Sequence, residues 1–193
     1  LHEFAHAYVA DRLGDPTPRA LGRVTLNPLS HLDPVGTVLL VVMHFGWGRP
    51  VPVDVRALSS PRRDLLLIAA AGPVVNVLTA VVVGLALRFA GETAVGDEAL
   101  AFLLRSLHVL VLLSLLLAIF NLLPIPPLDG SKVLMCLLPA AWAAAYGRHA
   151  STLSWVLVGL ILLGSVTDIH VLSILIGPPS RWLYALLLGL PLP

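Results

Sequence analysis

Long uncharged apolar runs alternate along this chain with short polar stretches rich in proline, glycine and arginine. No charged residue interrupts Leu65 to Leu87, and Ser106 to Leu128 is broken only by His108. At about 1.5 Å per residue, each run is long enough to cross the roughly 30 Å hydrocarbon core of a bilayer as a helix. His149 to Thr167 is a third candidate span, and Val171 to Leu190 is a weaker fourth that Gly177-Pro178-Pro179 is expected to break. Val35 to Phe45 is apolar but too short to cross, so it is expected to dip in and return. The stretch ahead of the first span is patterned differently. Leu1 to about Leu13 suits a helix that Gly14-Asp15-Pro16-Thr17-Pro18 stops. Gly22 to Pro28 reads as a brief strand and turn. Pro50-Val51-Pro52-Val53-Asp54-Val55 alternates with period two, and its prolines suit only a sheet edge. The expected fold is an all-α polytopic membrane protein, a transmembrane helix bundle with a small membrane-associated β element after the first helix.

Composition agrees: 58% of the 193 residues are hydrophobic and 12% charged, against about 25% charged in an ordinary soluble domain. The length suits one membrane-embedded domain, residues 1–193. Leu1 opens inside the first helix with no Met before it, which predicts an N-terminally truncated fragment. The single Cys136 excludes an internal disulfide and reads as a small buried hydrophobe. A net charge of +1, with no basic stripe interleaved with aromatics, gives no reason to expect a nucleic acid partner.

The distribution of charge says more than its sum. Asp11 to Asp64 holds Arg12, Arg19, Arg23, Arg49, Arg56, Arg62 and Arg63, whereas Arg88, Glu92, Asp97 and Glu98 lie between the first two spans. The arginine-rich side is therefore expected to face the cytoplasm. A chain that crosses near Asp64 and returns by about Leu123 brings whatever follows Leu123 to the side where the first helix begins.

That first helix carries Leu1-His2-Glu3-Phe4-Ala5-His6. Residues four apart share a helix face, so the imidazoles of His2 and His6 can grip one ion, with Glu3 beside that face. A catalytic zinc takes three protein ligands and an open position for water, and a nearby carboxylate can accept the proton that water loses. The same spacing also arises by chance on amphipathic helices, so a third ligand is the test. The second span ends in Asn121-Leu122-Leu123-Pro124-Ile125-Pro126-Pro127-Leu128-Asp129-Gly130, where the prolines stop the helix and hold the chain extended before Asp129. Asp-Gly is ordinary turn chemistry, yet a carboxylate beside two spans is costly unless paired or coordinating.

Gly72-Pro73 interrupts the first span next to a small face, Ala69 to Gly72, and Asn76 follows one turn later. This is either a structural kink or the support of an amide that donates to a developing oxyanion or to substrate backbone. Asn121 reads as a cap for carbonyls freed near the proline break. His31 is a second ligand-shell, substrate or solvated loop residue. Arg105 and His108 read as a snorkelling pair, and Trp47, Trp142 and Trp182 as interfacial anchors. His44, His149 and His170 have no visible partners.

In order, spacing and topology, His2-Glu3-Phe4-Ala5-His6, Gly72-Pro73-Val74-Val75-Asn76 and Asn121 through Leu128-Asp129-Gly130 resemble the site-2 protease family of intramembrane zinc metalloproteases. The resemblance covers roughly Leu1 to Leu138. It implies one zinc ion held by His2, His6 and Asp129, Glu3 as general base, and a supporting role for Asn76, in a site reached from the cytoplasmic side of the plasma membrane. Gly14 to Arg63 is too short to hold a PDZ domain, so a minimal form is expected. The implied activity is cleavage of transmembrane segments of other proteins within the bilayer. Val51, Val53 and Val55 are candidates to pair with an unwound substrate as an added strand, a plain linker being the alternative. The rival function is a zinc-binding membrane protein without proteolysis. Glu3 speaks against it, because a mere binding site has no use for a base beside the open position.

Overall fold

A computed structural model describes residues 1–43, 46–90, 97–167 and 171–192. Glu92, His44, Phe45 and His170, named above, lie outside them. Helix α1, His2–Arg12, is followed by the short α2, Thr17–Ala20, and the 10-residue apolar α3, Pro34–Met43. Then come α4, Pro61–Ala90, and α5, Glu98–Leu122. The chain continues through α6, Asp129–Leu137; α7, Ala140–Arg148; α8, Ala150–Val166; and α9, Val171–Leu188.

Among the described residues, three helices are long and apolar enough to cross a membrane: Pro61–Phe89, Glu98–Leu122 and Val171–Leu188. Only 33%, 22% and 17% of their apolar windows is buried, so most of that surface faces outward, as lipid requires and water does not allow. The chain is an integral membrane protein.

Local chemistry sets the ends of the spans. The first begins before the expected Leu65, with Pro61 in its opening turn and the Asp64 carboxylate accepting the Ser60 N–H at 2.8 Å. The second begins before the expected Ser106 because Asp97 caps it, accepting the N–H groups of Ala99 and Leu100 at 3.0 and 3.1 Å. It stops at Leu122, short of Leu128, because Pro124 lies just beyond. The fourth candidate is one helix straight through Pro178 and Pro179, against the expectation of a break. Within it Ser180 Oγ donates to the Ile176 carbonyl at 2.6 Å, pairing polar groups inside the proline-bearing turn. The third candidate reaches only 17 residues and is bent by 54° from α7.

The expected β element does not form among the described residues; what remains is one bridge between Leu32 and Gly48. Near Gly22 to Pro28, local bonds replace ladder bonds. Asn27 N–H donates to Thr25 Oγ1, and Asn27 Oδ1 accepts from Leu29, opening a short 3₁₀ turn over Pro28–His31. Pro50 and Pro52 lack donors, and no strand runs beside them among the described residues, so valine alternation yields no sheet; Asp54 is extended, and Val55 opens a 3₁₀ turn, Val55–Ala57.

Helix α4 is the hub, with α1, α5, α6 and α9 all packed against it. Ala7 and Ala10 of α1 are fully buried, Ile68 and Ala69 of α4 nearly so, and such small side chains let the two backbones approach. Toward the other end, Ala80 and Leu87 meet Val111 and Leu115 of α5, with Leu183 and Leu187 of α9 against them. His108 and Tyr184 join α5 to α9 through a 2.7 Å hydrogen bond between Nδ1 and Oη, so His108 is paired inside the bundle and does not snorkel. The three tryptophans are exposed, as anchors require.

Candidate metal centre

The first turns of α1 carry His2, Glu3 and His6, and the first residue of α6 is Asp129. Tight packing of α1 and α6 on α4 brings them together. Gly130 permits this, since a Cβ there would collide with the Leu122 carbonyl at the end of α5. Arg62, at the start of α4, donates through Nε to the Cys136 carbonyl at 2.6 Å and through Nη2 to the Leu138 carbonyl, tying down the far end of α6.

His2 Nε2, His6 Nε2 and Asp129 Oδ2 form a triangle with all three sides 3.1 Å. Ligand atoms about 2.0–2.1 Å from a tetrahedral ion stand roughly 3.3 Å apart, so the triangle has about the size of one face of a tetrahedral zinc shell. The donor chemistry fits as well. His6 Nδ1–H donates to the Ile68 carbonyl at 2.7 Å, which leaves a lone pair on Nε2 of the neutral ring. That lone pair and the Asp129 oxygen are both acceptors. A proton on His2 serves one contact, whereas a cation among the three serves all.

The space for an ion comes from Gly72. A Cβ on this residue would stand 2.6 Å from His2 Nε2 and closer still to His6 Nε2, so the place a side chain would take is the place beside both nitrogens. Lys132 Nζ holds the other oxygen of Asp129, Oδ1, at 3.2 Å and leaves Oδ2 to the triangle. Burial opposes charge on Asp129 and on His6. The hydrogen bonds and attraction between them outweigh it, holding the Asp129 carboxyl well below the usual carboxylate range and raising the His6 imidazole.

The triangle opens into a cavity of about 990 Å³. Glu3 and Asn76 line it, as do Val51, Val53, Val55 and Trp155 of α8. Gly48 lies against Glu3: a Cβ there would meet Oε1 at 3.6 Å. Asn76 Nδ2 is 3.2 Å from His2 Nδ1. Asn121 lines the cavity too, its Nδ2 donating to the Leu117 carbonyl of its own helix at 2.9 Å. His31 lies apart from the triangle, with Nε2–H donating to the Thr25 carbonyl at 2.8 Å. Sequence reasoning missed Lys132, the Ile68 carbonyl and the spatial role of Gly72. Lys132 was within reach, at i+3 from Asp129 on a helix; a backbone carbonyl leaves no trace in residue identity.

A helix-borne His-Glu-x-x-His joined by an aspartate from a later helix, inside an apolar membrane bundle, is the arrangement of a membrane-embedded metallopeptidase. Residues 1–165 match the sequence model of peptidase family M50, and the chain belongs to that family. The resemblance to the site-2 proteases is thereby shown. YwhC of Bacillus subtilis strain 168, whose name is that of a zinc metalloprotease, is 46% identical over 143 residues, 72% of this chain and 64% of YwhC. The Rip2 proteins of Mycolicibacterium smegmatis and Mycobacterium tuberculosis H37Rv, named likewise, are 35% identical over 135 and 140 residues. These alignments cover 67% and 69% of this chain. The chain thus spans about half the length of each Rip2 protein, 50% and 51%. No solved structure matches it.

Proposed function

We propose that this chain is a single membrane-embedded catalytic domain of an intramembrane zinc endopeptidase that cuts transmembrane segments of other proteins. The observation that carries this reading is the 3.1 Å triangle of His2 Nε2, His6 Nε2 and Asp129 Oδ2 opening on a cavity lined by Glu3. His2, His6 and Asp129 would hold the ion, and zinc bound there would lower the pKa of water and polarise a scissile carbonyl. Glu3 takes the proton from the attacking water and passes it to the leaving amine. Asn76, on the cavity wall, lends polar support to the oxygen that gains charge.

A substrate helix reaches such a site with its backbone paired, and unwinding in lipid exposes groups that cost several kcal/mol each unless paired again. The segment Pro50 to Val55, ahead of the 3₁₀ turn that Val55 opens, supplies the new partners. It borders the cavity, and the N–H groups of Val51 and Val53 make no backbone hydrogen bond among the described residues. The arginine-rich segment before α4 supports a site that faces the cytoplasm, and the plasma membrane is part of the same reading.

The test is zinc content and cleavage of a transmembrane substrate by the full-length protein, wild type against Glu3→Gln. The reading expects full zinc in both and no cleavage by the variant. Zinc loss in Glu3→Gln would make Glu3 a ligand, and retained cleavage would remove it as the base.

A further inference from the structure

Asn76 stands on α4 one turn beyond Pro73, 7% exposed, and its amide is the one hydrogen-bonding partner of His2 Nδ1 among the described residues. A neutral imidazole carries a single ring proton. With Asn76 Nδ2 donating to Nδ1, that proton is on Nε2, 3.1 Å from Asp129 Oδ2, where it makes a good hydrogen bond but blocks coordination. An ion at Nε2 requires the other tautomer, with the proton on Nδ1 and an acceptor facing it. His6 already has that arrangement, built on the Ile68 carbonyl. His2 has an amide instead, and the two ends of an amide have nearly the same shape: a half-turn about its last bond puts Oδ1 where Nδ2 stands.

We propose that Asn76 is a positioning residue of the metal centre, whose side-chain oxygen accepts His2 Nδ1–H and so selects the tautomer that offers Nε2 to the ion. The amide serves both tautomers, donating to one and accepting from the other, so His2 keeps its orientation whether or not the ion is held. Donation to a developing oxyanion uses the opposite end of the same group, and the two roles do not compete. The inference rests on the metal reading of His2, His6 and Asp129.

The experiment is the apparent zinc affinity of the full-length protein in detergent, read by competition with a colorimetric chelator, for wild type, Asn76→Leu and Asn76→Asp. Loss of the partner of a ligating histidine is expected to weaken binding about 10–100-fold in Asn76→Leu. Asn76→Asp keeps the acceptor at the same place and is expected to bind within about threefold of wild type, or tighter. Circular dichroism establishes that both variants keep the helical content of wild type. Wild-type affinity in Asn76→Leu, or equal losses in both variants, overturns the proposal, since a residue acting only on the oxyanion leaves affinity alone and one needed only as a donor is not rescued by aspartate. Failure of the wild-type protein to take up zinc overturns the underlying metal reading instead, and is told apart by that first measurement.

Discussion

The carboxylate of Asp15 accepts the backbone N–H of Asp54 at 2.8 Å, joining the end of α1 to the segment that borders the cavity. Asp15 is fully buried, and its other oxygen accepts Thr17 N–H at 2.9 Å. Gly14, at φ +107°, makes the turn that aims it inward. Asp15→Ala leaves two N–H groups without partners and is expected to cost about 2–4 kcal/mol. Zinc content should stay at the wild-type level while cleavage falls, because no member of the triangle is touched. Thermal melting beside zinc analysis checks both halves.

Gly72→Ala is expected to abolish zinc binding in a protein of normal helical content. Alanine suits a helix better than glycine by about 1 kcal/mol, so the helix itself does not suffer. The added methyl takes the space beside His2 Nε2 and His6 Nε2. Zinc content and circular dichroism on one sample separate this outcome from misfolding.

The pairing role of Pro50 to Val55 is tested at Val51. Val53 packs against the buried cluster of Ala10, Leu58 and Ile68, so changing it disturbs folding as well as pairing. Val51→Pro removes one free N–H from the same edge without reaching that cluster. Cleavage of a transmembrane substrate is expected to drop about tenfold or more, in line with the loss of a hydrogen bond made to substrate, with zinc unchanged. Wild-type rates would leave the segment a linker.

Much of this architecture was legible because it is carried by spacing and by runs. The four-residue interval of His2 and His6, the uncharged stretches that became α4 and α5, and the prolines that stop α5 before Asp129 all act locally. What was not legible depends on partners far along the chain. Asp15 looked like part of a helix stop, yet its function in the fold is fixed by Asp54, 39 residues on. His108 read as snorkelling because Tyr184, 76 residues away, leaves no sign in its neighbourhood. The valine alternation at Pro50 to Val55 predicts extended chain but cannot supply the neighbouring strand that makes a sheet.

The proposed orientation rests on the distribution of charge and is open to a direct check. With Cys136 replaced by serine, a cysteine at Glu98, the exposed start of α5, is expected to react with a membrane-impermeant maleimide added outside intact cells. A cysteine at Arg56 should be protected until the membrane is opened. The reverse pattern would put the arginine-rich segment, and the metal centre with it, on the outer face.

The metal shell itself is the most direct test of the account. X-ray absorption at the zinc edge of the full-length protein is expected to show one zinc per chain with two imidazole nitrogens at about 2.0–2.1 Å and oxygen at about 2.0–2.2 Å. Asp129→Ala is expected to lose the ion. A sulfur ligand, a third imidazole, or full zinc occupancy in Asp129→Ala would contradict the assignment of His2, His6 and Asp129 as the centre.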